Sequence, residues 1–186
     1  MSDDTLPRPA NVVRMVFKEI LEGDRRKFEA QSNDSETGGG ARDLRFSPYE
    51  KFKLVFEKML PDKDAHGVCT GYFTWIEGGL QQRVEGYFHP PTKARPTEGR
   101  IANVDKYLPT KSLPPHGAGN VVLLIVQQDD GSVWPHFITD RSLETEDWHP
   151  RVRELILGCL HARRREGVSM AGFVDFESGE EFCNGK

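Results

Sequence analysis

Residues 68–88, VCTGYFTWIEGGLQQRVEGYF, carry the strongest structural pattern of the chain. The first half of this segment is rich in β-branched and aromatic residues, which favour strands. Gly78 and Gly79 separate it from a second strand-like run, and consecutive glycines accept the backbone angles of a tight hairpin turn. The segment therefore predicts two paired strands, residues 68–77 and Leu80–Phe88.

A second hairpin is predicted nearer the carboxyl end. Val121–Gln128 begins with six consecutive apolar residues, the longest such run of the chain, which is typical of a buried strand. Residues 129–131 have turn composition and lead into a returning strand, residues 132–139. A further strand is predicted over residues 168–176. The chain is therefore expected to form a mostly antiparallel sheet or a partly closed barrel.

Three helices are expected to flank the sheet. The first begins after Asn11 and ends at Gly23, because apolar residues recur between them at the spacing of one helix face. The second begins at Ser47, which would form a capping box with Glu50. The third is the amphipathic segment 149–166, whose last turn holds three arginines.

Three segments between these elements are predicted to be extended or loop-like. Residues 24–30 are basic, residues 140–147 are acidic, and residues 31–40 contain no hydrophobic residue and end in three glycines. Polar side chains next to unhindered glycine amides are typical of surface loops, and also of loops that bind phosphate or another ligand.

The composition indicates one globular α+β domain. The chain has 186 residues, and no apolar run approaches the roughly 18 residues of a membrane span. We predict a flexible lead over residues 1–10, the domain over residues 11–176 and an acidic frayed tail over residues 177–186. The amino terminus lacks the basic and apolar profile of a secretory signal, so a cytoplasmic location is expected.

The spacing of cysteines and histidines indicates no metal site. Cys69, Cys159 and Cys183 form neither a disulfide framework nor a CxxC motif, so they are interpreted as free thiols in a reducing compartment. The six histidines show no ligand spacing either. No metal and no cofactor are therefore predicted.

No catalytic motif is evident in the sequence. It contains no GxxxxGK[ST] phosphate loop, no GxGxxG after a strand and no GxSxG nucleophile elbow. A metal-dependent nuclease would need clustered carboxylates with a nearby lysine, yet Glu85 has no lysine at the expected spacing, and Asp129 and Asp130 fit a turn. An enzyme is therefore not favoured, although a small metal-dependent nuclease stays open as an alternative.

The distribution of charge points to a polyanionic partner, although the formal net charge is −4. Residues 81–111 hold six basic residues against three acidic ones. Two polar arms, residues 31–45 and residues 93–106, combine Lys or Arg with Asn. Because basic side chains neutralise phosphates and amides read base edges, two such arms on a β scaffold could hold a duplex from either side of a groove.

The two arms also carry family-like motifs. The first arm contains Phe28-Glu-Ala-Gln-Ser-Asn-Asp-Ser-Glu-Thr-Gly-Gly-Gly40 and closes at Phe46-Ser-Pro48. The second contains Lys93-Ala-Arg-Pro-Thr-Glu-Gly-Arg-Ile101. In this order they resemble the glycine-rich Asn-Asp loop and the basic Lys-x-Arg-x-x-Glu-x-Arg-Ile arm of the amino-terminal effector-binding domain of EcoRII-type restriction endonucleases. The resemblance covers residues 11–139.

This resemblance implies a β-pseudobarrel with flanking helices, similar to plant B-three transcription-factor domains, that clasps double-stranded DNA between two arms and reads the major groove. It implies that lysines and arginines contact phosphates or guanine, and that Glu98 accepts from cytosine or orients Arg100. The predicted DNA-binding residues are Asn33, Asp34, Ser35, Arg42, Arg45, Lys93, Arg95, Glu98, Arg100, Asn103 and Lys106.

The family's catalytic domain does not follow in this sequence. The resemblance therefore implies a stand-alone bacterial DNA reader, or a specificity subunit beside a separate effector or nuclease in a restriction or phage-defence system. An alternative is a protein-interaction or assembly subunit of a larger complex. In that case the basic residues 163–165 and the acidic tail would be complementary surfaces, as in a homo-oligomer.

Overall fold

The computed structural model describes residues 12–29 and 42–185, which contain ten strands, five α-helices and a 3-10 turn at Thr110–Ser112. The strands, in chain order, are β1 (Val12–Ile20), β2 (Leu44–Phe46), β3 (Asp62–Lys63), β4 (Cys69–Glu77), β5 (Leu80–Phe88), β6 (Gly99–Ile101), β7 (Val121–Gln128), β8 (Val133–Thr139), β9 (Ala171–Asp175) and β10 (Glu181–Cys183). The helices are α1 (Glu22–Glu29), α2 (Tyr49–Met59), α3 (Val104–Tyr107), α4 (Asp140–Thr145) and α5 (Pro150–His161).

Eight of the described strands form one strongly curled, mostly antiparallel sheet. Its order is β10-β9-β1-β7-β8-β4-β3, and β5 pairs with β4 beside this path. The contact between β4 and β8 is parallel and joins Phe73 to Val133. Strands β2 and β6 form a separate small sheet. The predicted α+β class, with helices around a half-closed barrel, is confirmed.

Both predicted hairpins are confirmed. Strands β4 and β5 pair without interruption from Glu77 opposite Leu80, next to the turn, to Cys69 opposite Phe88. The turn between them has positive φ at both central glycines, as a tight two-residue hairpin requires. Strands β7 and β8 form the second hairpin.

The predicted first helix is wrong, because residues 12–20 form strand β1. This strand lies between β7 and β9 and pairs with both of them. From Arg14 onward its side chains are buried on both faces. A strand buried on both faces loses the alternation of apolar and polar residues, so its sequence can imitate a helix face.

Two segments predicted to be extended or loop-like are helices instead. Within α1, Arg25 pairs with Glu29 and Lys27 pairs with Asp24, each at 2.7 Å, and pairs at this spacing stabilise a helical turn. The acidic segment 140–147 contains α4, whose capping box is formed by the side chains of Thr139 and Ser142.

Helix α2 is confirmed, but its predicted cap is wrong. The residue at its N-cap is Pro48, and no side chain caps this end of the helix. The backbone amide of Tyr49 donates instead to the carbonyl oxygen of Thr97 at 2.8 Å. The start of α2 is therefore attached to the second polar arm rather than to its own capping side chain.

The carboxyl-terminal segment is folded, so the predicted frayed tail and the domain end at residue 176 are wrong. Strand β10 pairs with β9. A disulfide joins Cys159 of α5 to Cys183 of β10, and only Cys69 has a free thiol. The prediction of three free thiols failed because the two bonded cysteines, 24 residues apart in sequence, are brought together by the packing of α5 and β10.

The core has two layers, one on each face of the sheet. The first fills the curl of the sheet beneath α2, where Phe56 stacks on Phe88 with ring centroids 4.0 Å apart. The second lies between the sheet and α5. In the described part of the chain, no helix is long and apolar enough to cross a membrane.

Candidate nucleic-acid interface

Strands β2 and β6 place two predicted DNA-binding arginines side by side. Arg45 and Arg100 are direct partners in this antiparallel pair. Their neighbours Leu44, Phe46 and Ile101 are fully buried. Because side chains alternate between the two faces of a strand, burial of these neighbours directs both arginines away from the core.

Two carboxylates connect these arginines to a third one. Asp43 lies 3.7 Å from the Arg45 guanidinium and 3.3 Å from that of Arg100. Glu98 lies 3.4 Å from Arg45 and 3.6 Å from Arg95. We call these five residues the arginine row. It carries three positive and two negative charges, and each guanidinium has five N–H donors, more than these contacts use.

The backbone of the second arm closes tightly at its base. His89 and Arg100 exchange two backbone hydrogen bonds, of 2.8 and 3.1 Å. Gly99 lies so close to the core that a Cβ there would collide with the ring of Phe88 and lie 2.8 Å from that of Tyr49. The close approach that only glycine allows thus lets β6 pack on α2 and fixes the arm's position.

The tip of the arm is more exposed than its base. Lys93 is exposed and the side chain of Arg95 is 55% exposed, whereas Arg45 and Arg100 are 28% and 23% exposed. The amide of Arg95 donates to the carbonyl of Thr92 at 3.0 Å, which forms a turn at the tip. The arm therefore has long, exposed cationic side chains at its tip, Lys93 and Arg95. At its base, the guanidiniums of Arg45 and Arg100 are largely buried and held by carboxylates.

The contact partners differ from those that the family resemblance implies. Glu98 is paired with Arg45 and Arg95, whereas Arg100 is held by Asp43 and by the carbonyl oxygen of Pro90, 3.4 Å from its Nη1. Asp43 was not among the predicted residues. The alternation of Asp43, buried Leu44 and Arg45 could have indicated that both charged side chains share one strand face.

Three other predicted residues form a second group around α3. Arg42 pairs with Asp105 at 2.6 Å, and its carbonyl accepts from the amide of Val104 at 3.1 Å. Asn103 and Lys106 are exposed, and Asn103 precedes α3 with a left-handed backbone, φ +51°. The structure thus divides the predicted site into the arginine row and this group. Asn33, Asp34 and Ser35 lie outside the described residues.

Lys27 and His89 contact residues of the arginine row, whereas Lys18 lies near the buried ring of Phe46. Lys27 donates to the backbone oxygen of Asp43 at 2.9 Å. Lys18 donates to Ser169 Oγ at 3.0 Å, and burial lowers the pKa of this lysine. Burial, followed by the charge of Arg100, also lowers the pKa of His89. Lys27 and His89 add polar character at the base of the row, and neither was among the predicted residues.

The arrangement suits the recognition of anions. Guanidiniums positioned by carboxylates can give bidentate hydrogen bonds to phosphate or to guanine. Within residues 12–29 and 42–185, no group of three or more His, Cys, Asp or Glu side chains is arranged to hold a metal ion. No protein-family model matches the sequence, and no curated protein shows significant similarity to it.

Proposed function

We propose that this chain is a double-stranded DNA-binding module that uses the arginine row and Lys93 as its contact surface. The observation that carries this proposal is the pairing of Arg45 with Arg100 across β2 and β6, with Asp43 between their guanidiniums. This pairing converts two segments that are distant in sequence into one cationic surface.

The charge balance of this surface favours a polyanion. The three guanidiniums of the row exceed its two carboxylates by one charge, and the exposed Lys93 adds another positive charge. Local positive charge of this kind can bind nucleic acid even when the whole chain is acidic, because salt screens charges beyond about 8–10 Å.

The two levels of exposure support two kinds of contact. Arg45 and Arg100 lie at the base and are oriented by Asp43, so they are suited to read guanine through fixed bidentate hydrogen bonds. Arg95 and Lys93 lie near the exposed tip and are suited to phosphates, which tolerate less exact placement.

The family resemblance supports a role in restriction or phage defence. The EcoRII-type effector domain is a DNA-recognition domain attached to a nuclease. By that likeness, we propose that this chain supplies sequence recognition, alone or beside a separate bacterial effector or nuclease subunit.

The first test is a titration with a randomised pool of duplex oligonucleotides at about 50 and about 200 mM salt, with and without Mg²⁺. We expect enrichment of one short motif and an affinity that falls steeply with salt, because phosphate contacts release counterions. Absence of binding at the lower salt concentration would refute the proposal. Shortened product that depends on Mg²⁺ would support the nuclease alternative instead.

The matched control is Arg151→Ala. Arg151 is an exposed arginine of α5 that pairs with Glu154 and Glu181, outside the arginine row. We expect this variant to bind the enriched motif as the unchanged protein does, whereas Arg100→Ala weakens binding. An equal loss in both variants would show that overall charge, rather than the arginine row, drives association.

A further inference from the structure

The outer edge of β5 has the features of an unused pairing surface. β5 pairs with β4 along its whole length. At the end of β5, His89 exchanges two backbone hydrogen bonds with Arg100 on the side away from β4. Because the direction of backbone groups alternates along a strand, Gln81, Arg83 and Glu85 direct their N–H and C=O groups to the same side as His89.

These six outward groups have no backbone partner among the residues that the structure describes. The three residues that carry them are exposed. Strand edges of this length are usually protected by a bulge, a proline, charged side chains or a covering segment. Yet the register of β4 with β5 is regular, and β5 contains no proline.

The charges on this edge are self-complementary. Arg83 and Glu85 are two residues apart, so their side chains lie on the same face of the strand. The guanidinium of Arg83 lies over the ring of Tyr72 at 3.6 Å from its centroid, and Tyr87 donates its hydroxyl hydrogen to Glu85 at 2.5 Å. Both charged side chains are thus held on the exposed outer face.

We propose that a second copy of this chain binds to the β5 edge, forming an antiparallel β5–β5 pair about a two-fold axis at Val84. In this register Arg83 faces the partner's Glu85 and Glu85 faces the partner's Arg83. Both are positions with outward N–H and C=O groups, so each facing pair also exchanges two backbone hydrogen bonds.

Neighbouring registers lack this match. A shift of the axis to Arg83 places two arginines opposite each other, and a shift to Glu85 places two carboxylates opposite each other. Like charges directly opposite one another destabilise a strand pair. The axis at Val84 also brings the two Val84 side chains together at a non-hydrogen-bonded position, where cross-strand side chains are closest. A two-fold interface of this kind uses the same patch on both copies.

Charge reversal tests this pairing directly, by sedimentation velocity of the full chain over a concentration series without DNA. The unchanged protein should show a reversible dimer. In a dimer of either single variant, Arg83→Glu or Glu85→Arg, position 83 of each copy faces a like charge at position 85 of the other copy. Each should therefore raise the dimer dissociation constant roughly tenfold or more.

Restoration distinguishes this interface from any other. The double reversal Arg83→Glu with Glu85→Arg should restore the dimer. An equimolar mixture of the two single variants should form a heterodimer. One copy then carries glutamate at positions 83 and 85 and the other carries arginine at both positions, so each facing pair joins opposite charges. Arg164→Glu, an equal charge change at an exposed position outside β5, should leave the dissociation constant unchanged.

The proposal is overturned if the unchanged protein stays monomeric at every concentration, or if the single reversals leave the dimer intact. It is also overturned if the mixture fails to associate while circular dichroism shows both variants folded. Because the measurement contains no DNA and leaves the arginine row unchanged, its outcome is independent of the proposed function.

Discussion

Two charged clusters in this molecule use the same residue types for opposite purposes. We call Arg14, Asp175 and Lys58 the buried cluster, because the side chains of Arg14 and Asp175 are only 9% and 3% exposed. Lys58 donates to Asp175 at 2.5 Å. In the arginine row, the guanidinium–carboxylate distances lie between 3.3 and 3.7 Å, and Arg95 is 55% exposed. The two clusters do not differ in their guanidinium–carboxylate distances, because Arg14 lies 3.6 Å from Asp175. They differ in exposure, since Arg14 and Asp175 are almost completely buried and Arg95 is largely exposed.

This difference decides what each cluster can do. A buried charge that loses its partner retains the cost of desolvation, so the partners in the buried cluster cannot be exchanged cheaply. Exposed ion pairs contribute little to stability, typically about 0–1 kcal/mol, so the exposed Arg95 can exchange its carboxylate partner for a phosphate. Arg45 and Arg100 are 28% and 23% exposed, and each has more N–H donors than its contacts with Asp43 and Glu98 use. We infer that the buried cluster stabilises the fold and that the row is available for binding.

The largest expected effect comes from breaking the buried cluster. Asp175→Asn removes the charge that balances Arg14 and Lys58, and we expect a loss of about 3 kcal/mol in the free energy of unfolding. Chemical denaturation measures this loss. Glu177→Gln is the control, because Glu177 also pairs with Arg14 but is largely exposed, and it should cost under about 1 kcal/mol. Equal losses in both variants would contradict the comparison.

The buried cluster should also make stability depend on acid. Burial alone would raise the pKa of Asp175, but the hydrogen bond from Lys58 and the charge of Arg14 lower it below its ordinary value. The folded pKa therefore lies below the unfolded one, about 3.9. The stabilisation is complete above the unfolded pKa and is lost as the pH falls through the folded pKa.

Unfolding free energies at about pH 7 and about pH 3 measure this dependence. The unchanged protein should lose more stability on acidification than Asp175→Asn does, since the variant lacks the titrating carboxylate. An equal loss of unfolding free energy between these pH values in both proteins would show that groups other than Asp175 cause the acid sensitivity.

A loss of similar size is expected from the disulfide. It links α5 to β10 across 24 residues, and removal of such a cross-link costs about 3 kcal/mol through the entropy of the unfolded chain. The double variant Cys159→Ala with Cys183→Ala should show this loss without reductant, while its affinity for DNA at a temperature where it is folded should stay unchanged. A strong loss of affinity would show that this end of the molecule contributes to binding.

The arginine row should show the reverse pattern, with its main effect on binding. Arg100→Ala should weaken binding of the enriched duplex by about 1–3 kcal/mol if Arg100 forms a bidentate contact with a base. Arg95→Ala should weaken binding of all duplexes about equally, as expected of a phosphate contact. The free energy of unfolding should change by no more than about 0.5 kcal/mol in Arg95→Ala, because Arg95 is exposed. Arg100→Ala should cost more, because it leaves the largely buried Asp43 with fewer partners. Unchanged affinity in both variants would remove the second arm from the interface.

The smallest effect is expected at the tip of the arm. Lys93→Ala should weaken binding about equally for all duplex sequences, because a phosphate contact carries no base information. The slope of log affinity against log salt should fall in magnitude by about 1 if Lys93 contacts one phosphate. A sequence-dependent loss would instead assign Lys93 to base recognition.

Local sequence signals predicted the elements that depend on near neighbours. The hairpin of β4 and β5 follows from two glycines at the turn, and the apolar stripe of α2 follows from helix periodicity. Both patterns act over a few residues, so no knowledge of the remaining chain was needed. The residue types of the second polar arm were also recognisable, because basic side chains in a Gly- and Pro-containing segment are a local property.

Long-range packing settled what local patterns could not. β1 is a strand because β7 and β9, far away in sequence, pair with its two edges, while the two core layers bury its two faces; its apolar residues alone are compatible with a helix. Likewise, Arg45 and Arg100 meet only because β2 pairs with β6, which places Asp43 between their guanidiniums. Residue chemistry along the chain thus predicted an anion-binding surface, whereas the arrangement of the arginine row arises from contacts between segments that no local pattern connects.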